Sequence, residues 1–278
     1  MLKRILLPLD PSPYTETATK IACKIAQLQS AQITGLVILD IPGIEHSIGP
    51  VPMGALHYAE KIEVAKKVEA SQRIEKLLEK FKRICEAHNV PYDEAHEQGY
   101  PSKAIMQATR FYDVMIIGMR NFFDFETGDE EGTSLIKLLD NSITPVLGVP
   151  KDYQPPDILK VLVAYDGSLA ASRALQRFGQ LRNPDAMEIT LLNSSKDENL
   201  GRYLLDQAEI YLQAHGMKHI KKSWTSEDIL DVVEKQYYQE YDSFVVGAHA
   251  REGIFDFMLG SLTKFLIERG EKPVFIGQ

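Results

Sequence analysis

One ten-residue stretch decides the fold of this chain because it occurs twice, as KRILLPLDPS at residues 3–12 and as LKVLVAYDGS at residues 159–168. Each copy is a short apolar run that ends on an aspartate and a turn, and an alanine-rich segment of helical character follows it. A second pair, YDVMIIG at residues 112–118 and YDSFVVG at residues 241–247, repeats in the same order. The chain therefore contains two halves built to one plan.

Length and charge limit the class of protein. A chain of 278 residues is long enough for two domains of roughly 120 to 150 residues each. The net charge of −8 argues against general nucleic-acid binding, which needs a clustered Lys/Arg surface. No segment approaches the roughly 18 unbroken apolar residues of a membrane span, and the chain does not start like a secretory signal. We therefore expect a cytoplasmic protein that binds neither nucleic acid nor membrane.

Apolar periodicity predicts five strands with interleaved helices in each half. The order strand, helix, strand favours a parallel sheet with right-handed crossovers. We therefore predict two tandem doubly wound α/β domains, at residues 1–150 and 157–278, each a five-stranded parallel sheet with helices on both faces. The predicted strands are 5–9, 31–39, 92–98, 114–117 and 144–150 in the first half and 160–165, 188–193, 219–223, 244–246 and 273–276 in the second.

The two copies differ in length mainly at one place, apart from one further residue in the first copy between Gly118 and Pro145. The front of the repeat has an offset of 159 − 3 = 156 and the Tyr-Asp segment has an offset of 241 − 112 = 129, so the first copy holds 156 − 129 = 27 more residues between its second and fourth strands. Within that region, the Pro and Gly content of residues 41–54 is typical of a loop, and residues 56–88 are predicted to form a charged helix.

The predicted last strands are expected to join the two domains. Residues 151–157, with the adjacent Pro155 and Pro156, have the composition of a linker. Strand edges with exposed N–H and C=O groups favour pairing, so we predict an internal pseudo-dimer through the last strand of each domain. The sequence leaves open whether this pseudo-dimer pairs again as a homodimer.

The segment after the fourth strand of the second half carries the chemistry. Small residues precede a helix there, and a helix N-terminus offers free backbone N–H groups to an anion. Ligands of open α/β sheets bind at the carboxyl ends of the strands, where hydroxyl and cationic side chains would also meet a phosphate. The predicted residues of this phosphate site are Gly247, His249, Ala250, Arg251, Gly260, Ser261, Leu262 and Thr263.

These residues resemble the universal stress protein family, in its tandem two-domain form, over nearly the whole chain. The nucleotide motif of the family is G-x2-G-x9-G-S/T after the fourth strand, together with an aspartate at the end of the first strand. The second half reads Gly247-x2-Ala250-x9-Gly260-Ser261 and has Asp166 at the end of its first strand. Ala250 replaces one glycine, which costs about 1 kcal/mol if that position requires a positive φ.

The resemblance implies a cytoplasmic regulatory or stress-response protein whose second domain binds ATP, with or without Mg²⁺. The adenosine is expected beside Ala164, Asp166, Asn193 and Ser194, where acceptors can meet a ribose hydroxyl or an adenine amine. No catalytic motif or general base is evident, so we do not expect an enzyme. Two alternatives remain open: slow ATP hydrolysis or self-phosphorylation, and a scaffold that holds a lipid, a metabolite or a protein instead of a nucleotide.

The first half departs further from this motif. Gly118-Met119-Arg120-Asn121 is followed by ten residues before Gly132-Thr133, and five of those ten are acidic: Asp124, Glu126, Asp129, Glu130 and Glu131. Each close pair of like charges costs on the order of 1 kcal/mol even in water, so we expect the first domain to bind ATP poorly. The acids could also hold a divalent metal. A solvated acidic loop explains them equally well, so no metal site is predicted.

Overall fold

The computed structural model describes residues 2–52, 54–120, 135, 138, 139, 142–181, 186–248 and 260–278. Within these ranges each half of the chain contains five strands. The first half has β1 Arg4–Pro8, β2 Gln32–Leu39, β3 Tyr92–Gln98, β4 Val114–Gly118 and β5 Val146–Val149, and the second has β6 Leu159–Ala164, β7 Met187–Ser194, β8 His219–Thr225, β9 Ser243–Gly247 and β10 Val274–Gly277. Every strand predicted from the sequence is present, with ends within two residues of the prediction.

The helices of the described residues alternate with these strands. The first half contains α1 Tyr14–Gln29, α2 Ile41–Ile48, α3 Leu56–Ala87 and α4 Pro101–Thr109, and the second contains α5 Leu169–Gly179, α6 Glu198–Ala214, α7 Ile229–Val232 and α8 Ser261–Arg269. A π-helical turn, Val233–Tyr237, continues α7. No helix in the described part of the chain combines the length and the apolar character that spanning a bilayer requires.

All ten strands form one sheet, in the order β3-β2-β1-β4-β5-β10-β9-β6-β7-β8. Within each half the paired strands are parallel. The halves meet where β5 and β10 pair antiparallel, with Leu147 opposite Phe275. This pairing confirms the prediction that the last strands join the two halves.

Helices cover both faces of the sheet, which confirms the doubly wound fold. Alternate residues of a strand point to opposite faces, and β9 shows this directly. Val245 belongs to the core under α1, α3, α5 and α6, whereas Val246 belongs to the core under α4, α7 and α8. Cys23 and Cys85 are buried free thiols in the first of these cores, with 3.9 Å between their sulfur atoms.

The segment predicted as a loop at residues 41–54 contains the helix α2, so that prediction was wrong in part. Proline and glycine indicated a loop, but a proline in the first turn of a helix loses no hydrogen bond. The Asp40 carboxylate caps the helix by accepting a hydrogen bond from the Gly43 N–H at 3.0 Å. Ile44 is buried, and Lys66 of α3 donates to the Ser47 hydroxyl at 2.7 Å. Capping and packing on α3 therefore hold a short helix that composition alone does not indicate.

Glycine at the end of β10 permits the close approach of α5 to the sheet. A Cβ atom at Gly277 would lie 2.2 Å from the Ala174 Cα and 2.4 Å from the Ala174 backbone nitrogen. Backbone atoms of a helix cannot move aside as a flexible side chain can. Gly277 therefore allows α5 to pack directly against the end of β10.

We predict that Gly277→Ala lowers the free energy of unfolding by about 1–3 kcal/mol, because the added methyl group overpacks the contact with α5. Urea denaturation followed by circular dichroism measures the change. Gly54→Ala is the matched control, since a Cβ atom there has no neighbour within 4 Å. Equal denaturation midpoints for the two variants would contradict the packing described here.

Candidate functional site

A cleft of about 260 Å³ lies at the carboxyl ends of β6, β7 and β9, beside the N-terminus of α8. Ligands of open α/β sheets bind at this edge. Eight residues predicted from the sequence line the cleft: Ala164, Asp166, Ser194, Gly247, Gly260, Ser261, Leu262 and Thr263. Residues that lie up to 99 positions apart in the sequence (263 − 164 = 99) therefore meet at one edge of the sheet.

The N-terminus of α8 opens into this cleft. Gly260 precedes the helix in an extended conformation, with φ −59° and ψ 148°, and no described side chain caps the helix. The first backbone hydrogen bond of the helix runs from the Lys264 N–H to the Gly260 carbonyl at 3.0 Å. The earlier N–H groups have no carbonyl partner within the helix. They form a set of donors suited to an anion.

Thr263 and Ser261 differ in their availability to a ligand. Thr263 is 3% exposed, and its hydroxyl donates to the Gly247 carbonyl at 3.2 Å. That bond connects α8 to the end of β9, so the Thr263 hydroxyl proton is already used in a hydrogen bond within the protein. Ser261 is exposed at the first position of the helix. Of the two hydroxyls that the sequence indicated, Ser261 is the one placed to reach a ligand.

Gly247 allows the wall of the cleft to form. A Cβ atom there would lie 2.5 Å from the Ala170 carbonyl carbon and 2.6 Å from the Ala171 nitrogen. The absence of a side chain therefore lets the first turn of α5 approach the end of β9. Unlike α8, α5 is capped, since the Ser168 hydroxyl accepts a hydrogen bond from the Ala171 N–H at 3.2 Å.

Asp166 stands at the rim of the cleft. Its residue is exposed, and its carboxylate accepts a hydrogen bond from the Ser168 N–H at 2.9 Å. The turn that follows needs glycine, because Gly167 has a φ of +79°. The Asp-Gly-Ser sequence therefore places an acidic side chain at the mouth and starts α5 immediately after it.

Asn193, which the sequence indicated as a contact to the ligand, does not line the cleft. It is 1% exposed. Its amide donates to the Tyr165 carbonyl at 2.8 Å and accepts from the Ser195 hydroxyl at 2.7 Å. Asn193 thus holds the chain that leads into Asp166. The neighbouring Ser194 does line the cleft, and its hydroxyl donates to the Glu227 carbonyl at 2.6 Å.

Sequence reasoning missed the apolar wall of the cleft. The residues in question are Tyr165, Ala171, Leu192, Ile229 and Val246. One signal could have found part of this wall. In a parallel sheet, residues at the same level share a face, and Leu192 pairs with Ala164.

Three predicted residues, His249, Ala250 and Arg251, lie outside the described residues, as do Gly132, Thr133 and the acidic segment 124–131. Across the described ranges, no group of three or more His, Cys, Asp or Glu side chains is placed to hold a metal ion.

The corresponding edge of the first half is built differently. Asp10 occupies the position of Asp166 but is 1% exposed, and the hydroxyls of Ser12, at 2.7 Å, and Thr15 both donate to its carboxylate. Sheet register places Val37 and Ile38 where the second half has Asn193 and Ser194, because Pro8 pairs with Leu36 as Ala164 pairs with Leu192. In the first half, therefore, the acid is buried among hydroxyls and the neighbouring edge is apolar.

We predict that Asn193→Ala lowers the free energy of unfolding by about 2 kcal/mol, since it removes the hydrogen bonds that the buried amide makes to the Tyr165 carbonyl and the Ser195 hydroxyl. Thermal and urea denaturation measure the loss. Asn199→Ala makes the same change at an exposed position in the first turn of α6 and should be nearly neutral. If Asn193→Ala matched this control, the positioning role of Asn193 would be refuted.

No protein-family model and no curated protein matches the chain. A universal stress protein from Archaeoglobus fulgidus DSM 4304 has a similar structure, with a TM-score of 0.71 and 20% identity over 99% of this chain and 98% of that chain.

Two further solved structures, both from Pseudomonas aeruginosa, cover 99% of this chain and 92% of their own at 15% identity. One, from strain UCBPP-PA14, is a candidate universal stress protein with a TM-score of 0.57, and the other, from strain PAO1, is a protein of unknown function with a TM-score of 0.55. Over its whole length, this chain therefore shares the fold of universal stress proteins, as the resemblance in its sequence implied.

Proposed function

We propose that this protein binds an adenine nucleotide, ATP in the first place, in the cleft of its second half, and acts as a regulatory or stress-response protein. The observation that carries the proposal is the meeting of eight predicted residues around one cleft, beside a helix N-terminus that no described side chain caps. The shared fold of universal stress proteins supports the regulatory role.

Each part of a nucleotide has a matching part of the cleft. The free N–H groups at the start of α8 and the exposed Ser261 hydroxyl suit a phosphate. The Asp166 carboxylate at the rim suits a ribose hydroxyl or the adenine amine as an acceptor. Ile229 and Val246 give an apolar surface for the flat face of a base.

The size of the cleft agrees with a partly enclosed ligand. A volume of about 260 Å³ lies just below the range for small-molecule pockets, about 300–1,000 Å³. The adenosine would therefore be enclosed and the phosphates would extend along the N-terminus of α8. Mg²⁺, if it accompanies ATP, would be carried by the phosphates.

We propose one nucleotide for each chain. Two hydroxyls already donate to the Asp10 carboxylate, and the apolar Val37 and Ile38 replace the polar pair of the second half. An adenosine at that edge would meet fewer acceptors than at Asp166. The two halves therefore share a fold and differ in the chemistry of the corresponding edge.

We expect Ser261→Glu to weaken ATP binding by about tenfold or more, because the new carboxylate would face the phosphates at on the order of 1 kcal/mol for each close charge pair. The variant should fold, since an acidic residue in the first turn of a helix is favourable. Isothermal titration calorimetry with Mg²⁺ and ATP measures the affinity.

Ser102→Glu is the matched control, because it adds the same charge to the first turn of α4, another nine-residue helix. It should bind ATP as the unmodified protein does, with one ATP for each chain. The proposed nucleotide site is refuted if Ser261→Glu and Ser102→Glu bind ATP with equal affinity. It is also refuted if the unmodified protein binds no adenine nucleotide.

We propose a binding protein rather than an enzyme. Among the described residues that line the cleft, Asp166 is the single carboxylate, and it already accepts a hydrogen bond from the Ser168 N–H. Catalysis of phosphoryl transfer requires a group that positions or deprotonates the nucleophile.

We therefore expect no release of inorganic phosphate from ATP above the buffer blank in the presence of Mg²⁺. A malachite-green assay over several hours measures it. Phosphate release that is abolished by Asp166→Asn or Ser261→Ala would instead favour slow hydrolysis at this cleft.

A further inference from the structure

A second cavity, of about 350 Å³, lies between the two halves of the protein. It is on the opposite face of the sheet from the nucleotide cleft, because Val245 lines this cavity whereas Val246 lines the cleft. Leu147 of β5 and Phe275 of β10 lie on its floor, directly opposite each other in the antiparallel pairing. The cavity therefore sits over the seam that joins the halves.

The position of the cavity follows from the repeat. Helix α1 packs on the strands of the first half and α5 on those of the second, so the seam between them is covered by neither helix alone. The linker between the halves closes part of the gap with Tyr153, Pro155 and Pro156. The Asp152 N–H donates to the Thr17 hydroxyl at 3.3 Å, which ties the linker to α1.

Most of the lining is apolar; the charged Lys24 and Asp157 that also line the cavity are exposed to solvent, and the Ser243 hydroxyl donates to the Pro273 carbonyl at 3.1 Å. Two further polar residues have unmet hydrogen-bonding capacity. Gln29 is only 2% exposed, and its side-chain oxygen has no hydrogen-bond partner. The buried hydroxyl of Tyr153 also has none. Among the described residues, one further buried side-chain atom, the amide nitrogen of Gln278, shares this condition. Both Gln29 and Tyr153 line this cavity.

Leaving such groups unpaired is unfavourable, since a buried donor or acceptor without a partner carries its full cost of desolvation. Burial, with a smaller contribution from the Asp242 carboxylate, raises the pKa of Tyr153. Its hydroxyl therefore stays protonated and can donate. The cavity thus combines apolar walls with one acceptor and one hydroxyl that the protein leaves unused.

We propose that this cavity between the halves binds a small apolar molecule that carries a hydroxyl group. A hydroxyl can donate to the Gln29 oxygen and can accept from the Tyr153 hydroxyl, so a single such group can pair with both atoms. A hydrocarbon would pair with neither, and a carboxylate could not donate to Gln29. The volume holds about a dozen groups the size of a water molecule, at about 30 Å³ each.

The probes are 4-propylphenol and 1-fluoro-4-propylbenzene, which have nearly the same shape and differ in the hydroxyl group. Isothermal titration calorimetry on the full chain should show one 4-propylphenol for each chain, bound about tenfold more tightly than the fluorinated analogue. Tyr153→Phe combined with Gln29→Leu should abolish that preference. Tyr153→Phe alone should leave the urea midpoint unchanged, because the hydroxyl bonds to no other protein group.

Ile25→Trp tests the location, since the larger side chain fills the space beside α1. This variant should weaken the binding of 4-propylphenol by at least tenfold and leave the affinity for ATP unchanged. If that variant fails to fold, Leu28→Trp narrows the entrance at a residue that is 53% exposed. The proposal is overturned if 4-propylphenol shows no saturable binding, if the tryptophan variants bind it normally, or if the double variant keeps the preference for the hydroxyl.

Discussion

The antiparallel pairing of β5 with β10 is the constraint on which the rest of the structure depends. Each half alone would be a five-stranded parallel sheet with an exposed edge at its last strand, and such an edge pairs readily with another strand. Here the partner strand is in the same chain, so the two sheets become one of ten strands. This seam sets the orientation of the two halves relative to each other and creates the cavity between the halves.

A repeated fold has allowed the two halves to diverge at equivalent positions. The first strand of each half leads into an aspartate, Asp10 after β1 and Asp166 after β6. In one half the carboxylate is buried and accepts hydrogen bonds from two hydroxyls, and in the other it stands exposed at the rim of a cleft. The same position in the repeat is therefore buried in one half and exposed to solvent in the other, and in both it accepts a local hydrogen bond.

The sequence predicted the inner strands well because buried parallel strands are short apolar runs, a signal that needs no knowledge of distant neighbours. It predicted much of the cleft for a related reason, since glycines and hydroxyls at strand and helix ends mark such sites. It failed where a residue depends on its partners. Asn193 looked like a ligand contact, yet its amide bonds to Tyr165 and Ser195, and Asp40 with α3 stabilises a helix in a segment rich in Pro and Gly. The cavity has no local signal at all, because its walls come from both halves.

The direction of the strands at the seam determines which side of the sheet each half presents to a binding partner. Because β10 runs opposite to β5, the carboxyl ends of the first set of strands and those of the second point toward opposite rims of the common sheet. A binding partner that contacts the rim with the cleft in the second half would therefore not contact the equivalent rim of the first half. Within the sheet, the two halves are connected by three residue pairs at the centre, Val274 with Gly148, Phe275 with Leu147 and Ile276 with Val146.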